Sequence, residues 1–180
     1  MTFDELFARL INLEQGYSNN PNDSGGETNH GITEAVARAY GYLGPMKEMS
    51  AYQAREIYLD RYWREPRFDK VALICAPAAY ELFDTGVNMG QAVAARFLQR
   101  ALNLLNRGGA VYPDIAVDGA IGSITLRALA AFLVYRGAAG ETVLLRMLNA
   151  QQSVRYMEIA ERRPKDEEFI YGWHLNRVVM

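Results

Sequence analysis

Apolar residues recur at the spacing of amphipathic helices along most of the chain, and this periodicity restricts the fold more than any other sequence feature. The first such stretch starts at Phe3, follows a capping box formed by Thr2 and Glu5, and stops at Gly16. Further helices are predicted over 34–40, 51–65, 77–88, 91–106, 123–136 and 141–162, with a short one after 166. No alternating run is long enough for a major sheet. The predicted fold is therefore mainly α, with room for a small β-hairpin.

Composition and charge suggest a packed chain with two unlike parts. Half of the 180 residues are hydrophobic and 22% are charged, so the chain can bury a core. The net charge of −2 gives no general electrostatic case for nucleic-acid binding. Residues 1–90 carry 8 basic and 13 acidic side chains, whereas residues 91–180 carry 11 and 8. We therefore expect two domains, 1–92 and 93–180, with a boundary near Gly90.

Several classes of protein are disfavoured by what the sequence lacks. The single cysteine, Cys75, cannot form an internal disulfide and is expected to be a small buried side chain. Only two histidines, His30 and His174, are present, so we expect no metal site and no cofactor. The N-terminus lacks the basic and apolar regions of a Sec signal peptide, and no apolar run reaches the roughly 20 residues of a membrane span. Synthesis in the cytoplasm is expected; the export route and oligomeric state stay open.

One long polar loop separates the first two predicted helices. In residues 16–31, 13 of 16 are Gly, Pro, Asn, Asp, Ser or Thr. Ordered loops of this length are usually functional. A calcium loop starting at Asn20 would need an acidic residue where Gly31 stands, and the segment has neither the lysine of a phosphate loop nor the pattern of a serine nucleophile. Carboxylates are the remaining candidates for chemistry.

Glu14 is the carboxylate that periodicity singles out. It follows Phe3, Phe7 and Leu10 by eleven, seven and four residues, which places it on the apolar stripe of the first helix. Partial burial there would raise the pKa of the Glu14 carboxyl, as general-acid cleavage of a glycosidic bond requires. The alternative is a solvent-facing or Arg-paired glutamate near a helix end.

Other residues could complete such a site. Asp23 could orient water or stabilise positive charge on the sugar ring, and Thr28 could hold that water. Equally, Asp23 could stabilise a turn, and Thr28 could be an ordinary loop hydroxyl. Tyr17, Trp63 and Asn88 are candidates for binding sugar through stacking and hydrogen bonds, although aromatic residues at helical spacing are often part of a core.

The loop and its flanks resemble the glycoside hydrolase family 108 N-acetylmuramidases, lysozyme-like enzymes of phages and bacteria, whose pattern is close to EGGYxNxPxDxGGxTxxGIT. The chain departs from that pattern at Gln15, where the family usually has Gly, and at Ser24. A second segment, 83–90, is similar to the family's FDxxVNxG. The resemblance rests on these residues: Glu14-Gln15-Gly16-Tyr17, Asn20-Pro21, Asp23, Gly25-Gly26, Thr28 and Gly31-Ile32-Thr33.

This resemblance implies a lysozyme-like helical fold and a muramidase with Glu14 as the catalytic acid. Segments 98–103 and 117–126 are similar to the peptidoglycan-binding-like part of relatives, and 171–177 resembles their GWxNR ending. The implied partner is the glycan strand of peptidoglycan, and the implied place of action is the cell wall. A lytic transglycosylase at the same bond is one alternative. Another is a wall-binding protein that assists secretion, since relatives have been labelled secretion activators.

Overall fold

The structure is a computed structural model that describes residues 3–13, 16–19 and 26–178. The prediction of a mainly α fold with a small hairpin is confirmed, as expected for a lysozyme-like helical protein. The eight helices of the described residues are α1 (Phe3–Leu13), α2 (Glu34–Tyr40), α3 (Ala51–Tyr58), α4 (Phe68–Ala72), α5 (Ala76–Met89), α6 (Gln91–Leu105), α7 (Ser123–Arg162) and α8 (Glu167–Arg177). Two short strands, β1 (Thr28–Asn29) and β2 (Ile32–Thr33), form the hairpin. Met46–Glu48 and Pro164–Asp166 are 3₁₀ turns, and Leu59–Arg64 is a π-helical turn.

The chain divides into two compact units, one ending at Trp63 and the other beginning at Arg64. The first, hereafter unit 1, contains α1–α3 and the hairpin. The second, unit 2, contains α4–α8. The expected domain boundary between residues 92 and 93 stays a prediction.

The hairpin of unit 1 is formed by local backbone chemistry. His30 and Gly31 between the strands both have positive φ (51° and 74°), as a tight two-residue hairpin turn requires. Thr28 pairs with Thr33 across the hairpin and with Ser18 on its other side. Ser18 and Thr28 exchange backbone hydrogen bonds of 2.8 and 2.9 Å. These pairings join both ends of the polar loop to one small sheet.

The helices α2 and α3 of unit 1 begin where capping side chains predict, whereas Thr2, the predicted cap of α1, lies outside the described residues. Thr33 accepts a hydrogen bond from Val36 N and starts α2, which ends at Gly41 in a left-handed conformation (φ 101°). Ser50 and Gln53 form a complete capping box at the start of α3. The apolar stripe of α1 is buried, and its Phe7 ring packs against Tyr58 of α3 at 5.8 Å between centroids.

The core of unit 2 lies among α5, α6 and α7. Its largest buried side chains include Leu82, Leu98, Leu102, Leu129, Phe132 and Leu144. Gly86 allows α5 to pack closely against α4, because a Cβ there would lie 3.1 Å from the ring of Phe68 and the ring would have to shift slightly. Cys75 is buried as expected, and burial raises the pKa of its thiol to about 11.

The two helices predicted over 123–136 and 141–162 are joined in α7. Gly137 interrupts the helical geometry between them with φ 59° and ψ −150°. The helix α7 is long and apolar enough to cross a membrane, but core helices of folded domains often have the same length and composition. Leu129, Phe132 and Leu144 of this helix are buried in unit 2. The absence of a membrane span stays a prediction.

Candidate active site

Glu14 and Asp23, the two carboxylates predicted to do the chemistry, lie outside the described residues. Their catalytic roles therefore stay predictions. Glu14 lies between the end of α1 and Gly16, and Asp23 lies between Asn19 and Gly26, which are the nearest described residues. The Ser18–Thr28 pairing brackets the stretch of sequence that contains Asp23.

Thr28, the third predicted catalytic residue, is the central member of a row of hydroxyl side chains. Paired residues of adjacent strands share one face of a sheet, so Ser18, Thr28 and Thr33 lie on the same side. Asn29 and Ile32 occupy the opposite side and are buried (4% and 1% exposed). The hydroxyl row therefore lies on the outward side of the sheet, where it can meet a ligand. Thr28 Oγ1 lies 3.4 Å from the carbonyl of Gly26, to which it donates.

Asn29 fixes the sheet to the body of unit 1. Its buried Nδ2 donates to the carbonyl of Met46 at 2.8 Å and lies 3.4 Å from those of Lys47 and Met49. A buried amide with these partners is satisfied and resists displacement. The residue next to Thr28 thus anchors the sheet to the 3₁₀ turn Met46–Glu48.

The three predicted sugar-binding residues have different environments. Tyr17 is 39% exposed and directly precedes Ser18 in the small sheet. Trp63 is only 7% exposed, and its ring packs against Phe3 at 5.6 Å between centroids, which favours a packing role in unit 1. Asn88 lies in unit 2, half-buried near the end of α5, and its amide donates to the carbonyl of Asp84 at 2.7 Å. Sugar binding by all three stays a prediction.

Sequence reasoning missed an aromatic pocket on unit 1. This depression of about 220 Å³ lies between the end of α2 and the start of α3, and its lining includes Tyr40, Tyr42, Tyr52, Gln53 and Glu56. Tyr52 is 69% exposed. Aromatic faces beside an amide and a carboxylate are the groups that sugar sites use. The local density of tyrosines around Gly41 is the sequence signal that could have indicated it.

A polar network on α5 of unit 2 was also missed. Asp84 accepts a hydrogen bond from Gln152 of α7 at 2.8 Å and forms a 3.0 Å ion pair with Arg177 of α8. Gln152 also donates to Thr85 at 3.2 Å. Trp173, from the predicted GWxNR ending, stacks on Tyr156 at 4.8 Å between centroids. The ending thus fastens α8 to α5 and α7.

Glu81 lies beside this network. Burial, with a smaller contribution from the charge of Asp84, raises the pKa of the Glu81 carboxyl to about 7, although hydrogen bonds from Asn149 and Thr85 oppose the shift. Its Oε1 atom is buried and has no hydrogen-bond partner among the described residues. Two neighbouring carboxyls therefore differ in environment, since Asp84 is tied to a guanidinium and Glu81 is not.

Within the segment 117–126, the pattern DGxxGxxT at 118–125 begins with a turn that is held by α6. Gln99, which is 1% exposed, donates to Asp118 at 2.8 Å and to Ala120 O at 3.0 Å, and accepts from Gly119 N at 2.9 Å. Hydrogen bonds from the Ala120 backbone and from Gln99 lower the pKa of Asp118. Gly119 has φ 83°, and a Cβ there would lie 2.9 Å from Ala92 O. This element therefore has a structural role within unit 2.

Among the residues that the structure describes, no group of three or more His, Cys, Asp or Glu side chains could hold a metal ion. The expectation that the protein needs no metal and no cofactor stays a prediction.

Family models match both halves of the chain. Residues 7–90 match the family model described as glycosyl hydrolase 108. Residues 93–178 match a model described as a predicted peptidoglycan domain. The two matched segments follow each other along the chain with a short interval between them. The segment that matches glycosyl hydrolase 108 includes the hydroxyl row, the tyrosine pocket and all of α5. Together the two segments indicate a peptidoglycan-related hydrolase or binding protein.

Solved structures support the fold. A structure described as that of Brucella abortus SagA is similar to this chain with a TM-score of 0.68 and 24% sequence identity. The similarity covers 95% of this chain and 86% of that one. At this identity the likeness shows a shared fold. No curated protein matches the sequence.

Proposed function

We propose that the protein is an N-acetylmuramidase that hydrolyses the β-1,4 bond between N-acetylmuramic acid and N-acetylglucosamine in peptidoglycan. The observation that carries this proposal is the match of residues 7–90 to glycosyl hydrolase 108, followed by a peptidoglycan domain at 93–178. A hydrolase and a domain for its polymeric substrate on one chain would keep the enzyme at the wall between cleavage events.

In the proposed reaction, Glu14 donates its proton to the glycosidic oxygen as the bond to the anomeric carbon breaks. Asp23 stabilises the oxocarbenium-like transition state or orients the attacking water, and Thr28 helps to hold that water. The water oxygen becomes the new hydroxyl on the anomeric carbon. Its released proton restores the acid for the next cycle.

The described part of unit 1 supports this assignment in two ways. The outward side of the small sheet carries the hydroxyls of Ser18 and Thr28, and Asn29 anchors this sheet to the body of unit 1, as substrate positioning needs. The tyrosine pocket supplies aromatic faces on the same unit. We propose Tyr17 and this pocket as sugar-contacting groups, and Asn88 and Trp63 as further candidates.

Digestion of purified peptidoglycan by the wild type, Glu14→Gln and Glu48→Gln tests the proposal. Mass spectrometry of the released muropeptides is expected to show reducing N-acetylmuramic acid ends for the wild type. Glu48 is an exposed carboxylate in a 3₁₀ turn, so its variant is the matched control and should release the same products. Full product release by Glu14→Gln would refute the assignment of the acid.

The same assay separates two alternatives. Anhydro-muramic acid ends, lighter by one water, would show that the muramic acid 6-hydroxyl attacks in place of water, as in a lytic transglycosylase. The peptidoglycan domain favours a second alternative, a wall-binding protein that assists secretion. In that case the wild type would pellet with peptidoglycan but release no sugar, and Glu14→Gln would keep the full biological effect.

We further propose that the protein acts on the cell wall, in the periplasm or outside the cell, with glycan strands as its partner. Roles as a phage endolysin and as a cellular wall-remodelling enzyme are both compatible with this activity.

A further inference from the structure

An open groove of about 340 Å³ runs between α6 and α7 of unit 2. All of its lining residues fall within 93–178, the segment that matches the peptidoglycan domain. They lie about one helical turn apart on each helix, so the two helices form opposite walls. The residues that the argument uses from these walls are Phe97, Arg100 and Leu104 of α6 and Met147, Gln151 and Val154 of α7.

The walls are mostly apolar and open to solvent. Leu104 is 67% exposed and Val154 is 50% exposed, although both are large hydrophobic side chains. Adjacent exposed apolar groups that line a concave surface are typical of binding sites. Phe97 is the one aromatic residue of the groove and its other apolar lining groups are aliphatic or thioether groups, which favours methyl side chains over a sugar ring, since sugar sites use several aromatic faces.

The charged residues of the groove favour an anionic ligand. Arg155 is paired with Glu158 at 2.8 Å. Arg100 is exposed and forms no ion pair within the part of the chain that the structure describes. A guanidinium without a partner beside an apolar groove is a ready binding group for a carboxylate.

Gln151 adds a hydrogen-bonding requirement. Its Nε2 donates to the carbonyls of Phe97 and Met147, both at 3.1 Å, which fixes the orientation of the amide. Its Oε1 is buried and accepts no hydrogen bond from any described residue. Since buried acceptors are nearly always satisfied, this oxygen calls for an N–H donor.

We propose that this groove binds the peptide stem of peptidoglycan, a short chain with methyl side chains, backbone amides and free carboxylates. The carboxylate would pair with Arg100, and the methyl groups would contact Leu104, Met147 and Val154. This inference rests on the proposed function, since it takes peptidoglycan as the partner. It adds a second recognition site, for peptide rather than glycan.

Calorimetric titration of the full chain tests the proposal with three probes: a synthetic stem tetrapeptide with free carboxylates, its amidated form, and the peptide-free disaccharide. The variants are Arg100→Gln, Val154→Trp to fill the groove, and Arg127→Gln as the control. Arg127 is an exposed residue of α7 outside the groove, and its loss changes the net charge equally. Thermal unfolding of each variant checks that it folds.

We expect the wild type and Arg127→Gln to bind the free tetrapeptide equally. The Kd should rise about ten-fold in Arg100→Gln and with the amidated peptide, as expected for loss of one charge-assisted hydrogen bond. Val154→Trp should abolish binding. Equal binding of the free tetrapeptide by Arg100→Gln and the wild type, or no binding of it by the wild type, would overturn the proposal. Binding of the disaccharide belongs to the proposed muramidase site and should be the same in every variant. Peptide binding without release of muropeptides in the digestion assay would refute the hydrolase alone, and the reverse result would refute the groove alone.

Discussion

Glu81 gives the sharpest quantitative prediction, because burial raises the pKa of its carboxyl from 4.5 to about 7. Between those two pH values the folded protein keeps a proton that the unfolded chain has lost. The free energy of unfolding must therefore fall as the pH rises through this window and level off above it. Each pKa unit corresponds to 1.36 kcal/mol, so the shift of 2.5 units costs on the order of 3 kcal/mol of stability at pH 8.

Glu81→Gln removes this titration while keeping the shape of the protonated side chain. We expect the variant to match the wild type near pH 4.5 and to exceed its free energy of unfolding by up to about 3 kcal/mol at pH 8. The gain will be smaller to the extent that the amide fits Asn149 and Thr85 less well than the carboxyl does. The sign of the difference, and its growth with pH, are the essential parts of the prediction.

Urea unfolding at intervals from pH 4.5 to 8.5 measures the effect. The chain has two tryptophans, one in each unit, so a shared Trp63→Phe background leaves Trp173 to report on the unit that contains Glu81. Glu161→Gln, on an exposed part of α7, is the control for loss of one negative charge. If the free energy of unfolding changed with pH in parallel for Glu81→Gln and the wild type, the reasoning would be refuted. The Glu81 carboxyl would then titrate alike in the folded and unfolded states.

Three further predictions concern single residues that hold or shape the backbone, and each is measured by urea unfolding at pH 7. Asn29→Ala removes the buried donor to the carbonyls of the 3₁₀ turn and should cost about 1–3 kcal/mol, whereas an unchanged midpoint would mean that the sheet is held elsewhere. Ser50→Ala removes the cap of α3 and should cost about 1 kcal/mol, a loss that Ser50→Thr should largely avoid. Gly137→Ala places a residue with a Cβ in a backbone conformation that is nearly exclusive to glycine and should cost about 1–3 kcal/mol. A variant more stable than the wild type would contradict the non-helical geometry at Gly137.

The parts of the fold that were predictable from sequence depend on neighbouring residues. Thr33 and Ser50 act on backbone groups three residues away, so their patterns identify helix starts without tertiary information. Pro77 likewise lies in the first turn of α5, as expected. The same local logic did not indicate α4, a five-residue helix that starts after Arg67 in a left-handed conformation without a side-chain cap.

What could not be predicted depends on residues far apart in the chain. Asp84 meets Gln152 and Arg177 across 68 and 93 positions, and no periodicity links them. Gln99 of α6 donates to Asp118, 19 positions along the chain, and no periodicity in the sequence indicates this contact. For the candidate site, the role of Thr28 in an outward hydroxyl row follows from strand pairing with Ser18, and this pairing leaves no pattern in the sequence.

The rule that singled out Glu14 also applies to Glu81. Glu81 follows the buried Ala78 by three residues and precedes the buried Thr85 by four, so it too lies at the spacing of an apolar helix stripe. Partial burial of a glutamate is therefore insufficient evidence for catalysis, since at Glu81 it accompanies hydrogen bonds from Asn149 and Thr85 within a helical core. The distinguishing feature of Glu14 is the polar loop that follows it and the hydroxyl row on the sheet to which that loop returns. The two glutamates should consequently differ in what their Gln variants change: product release for Glu14, and the pH dependence of stability for Glu81.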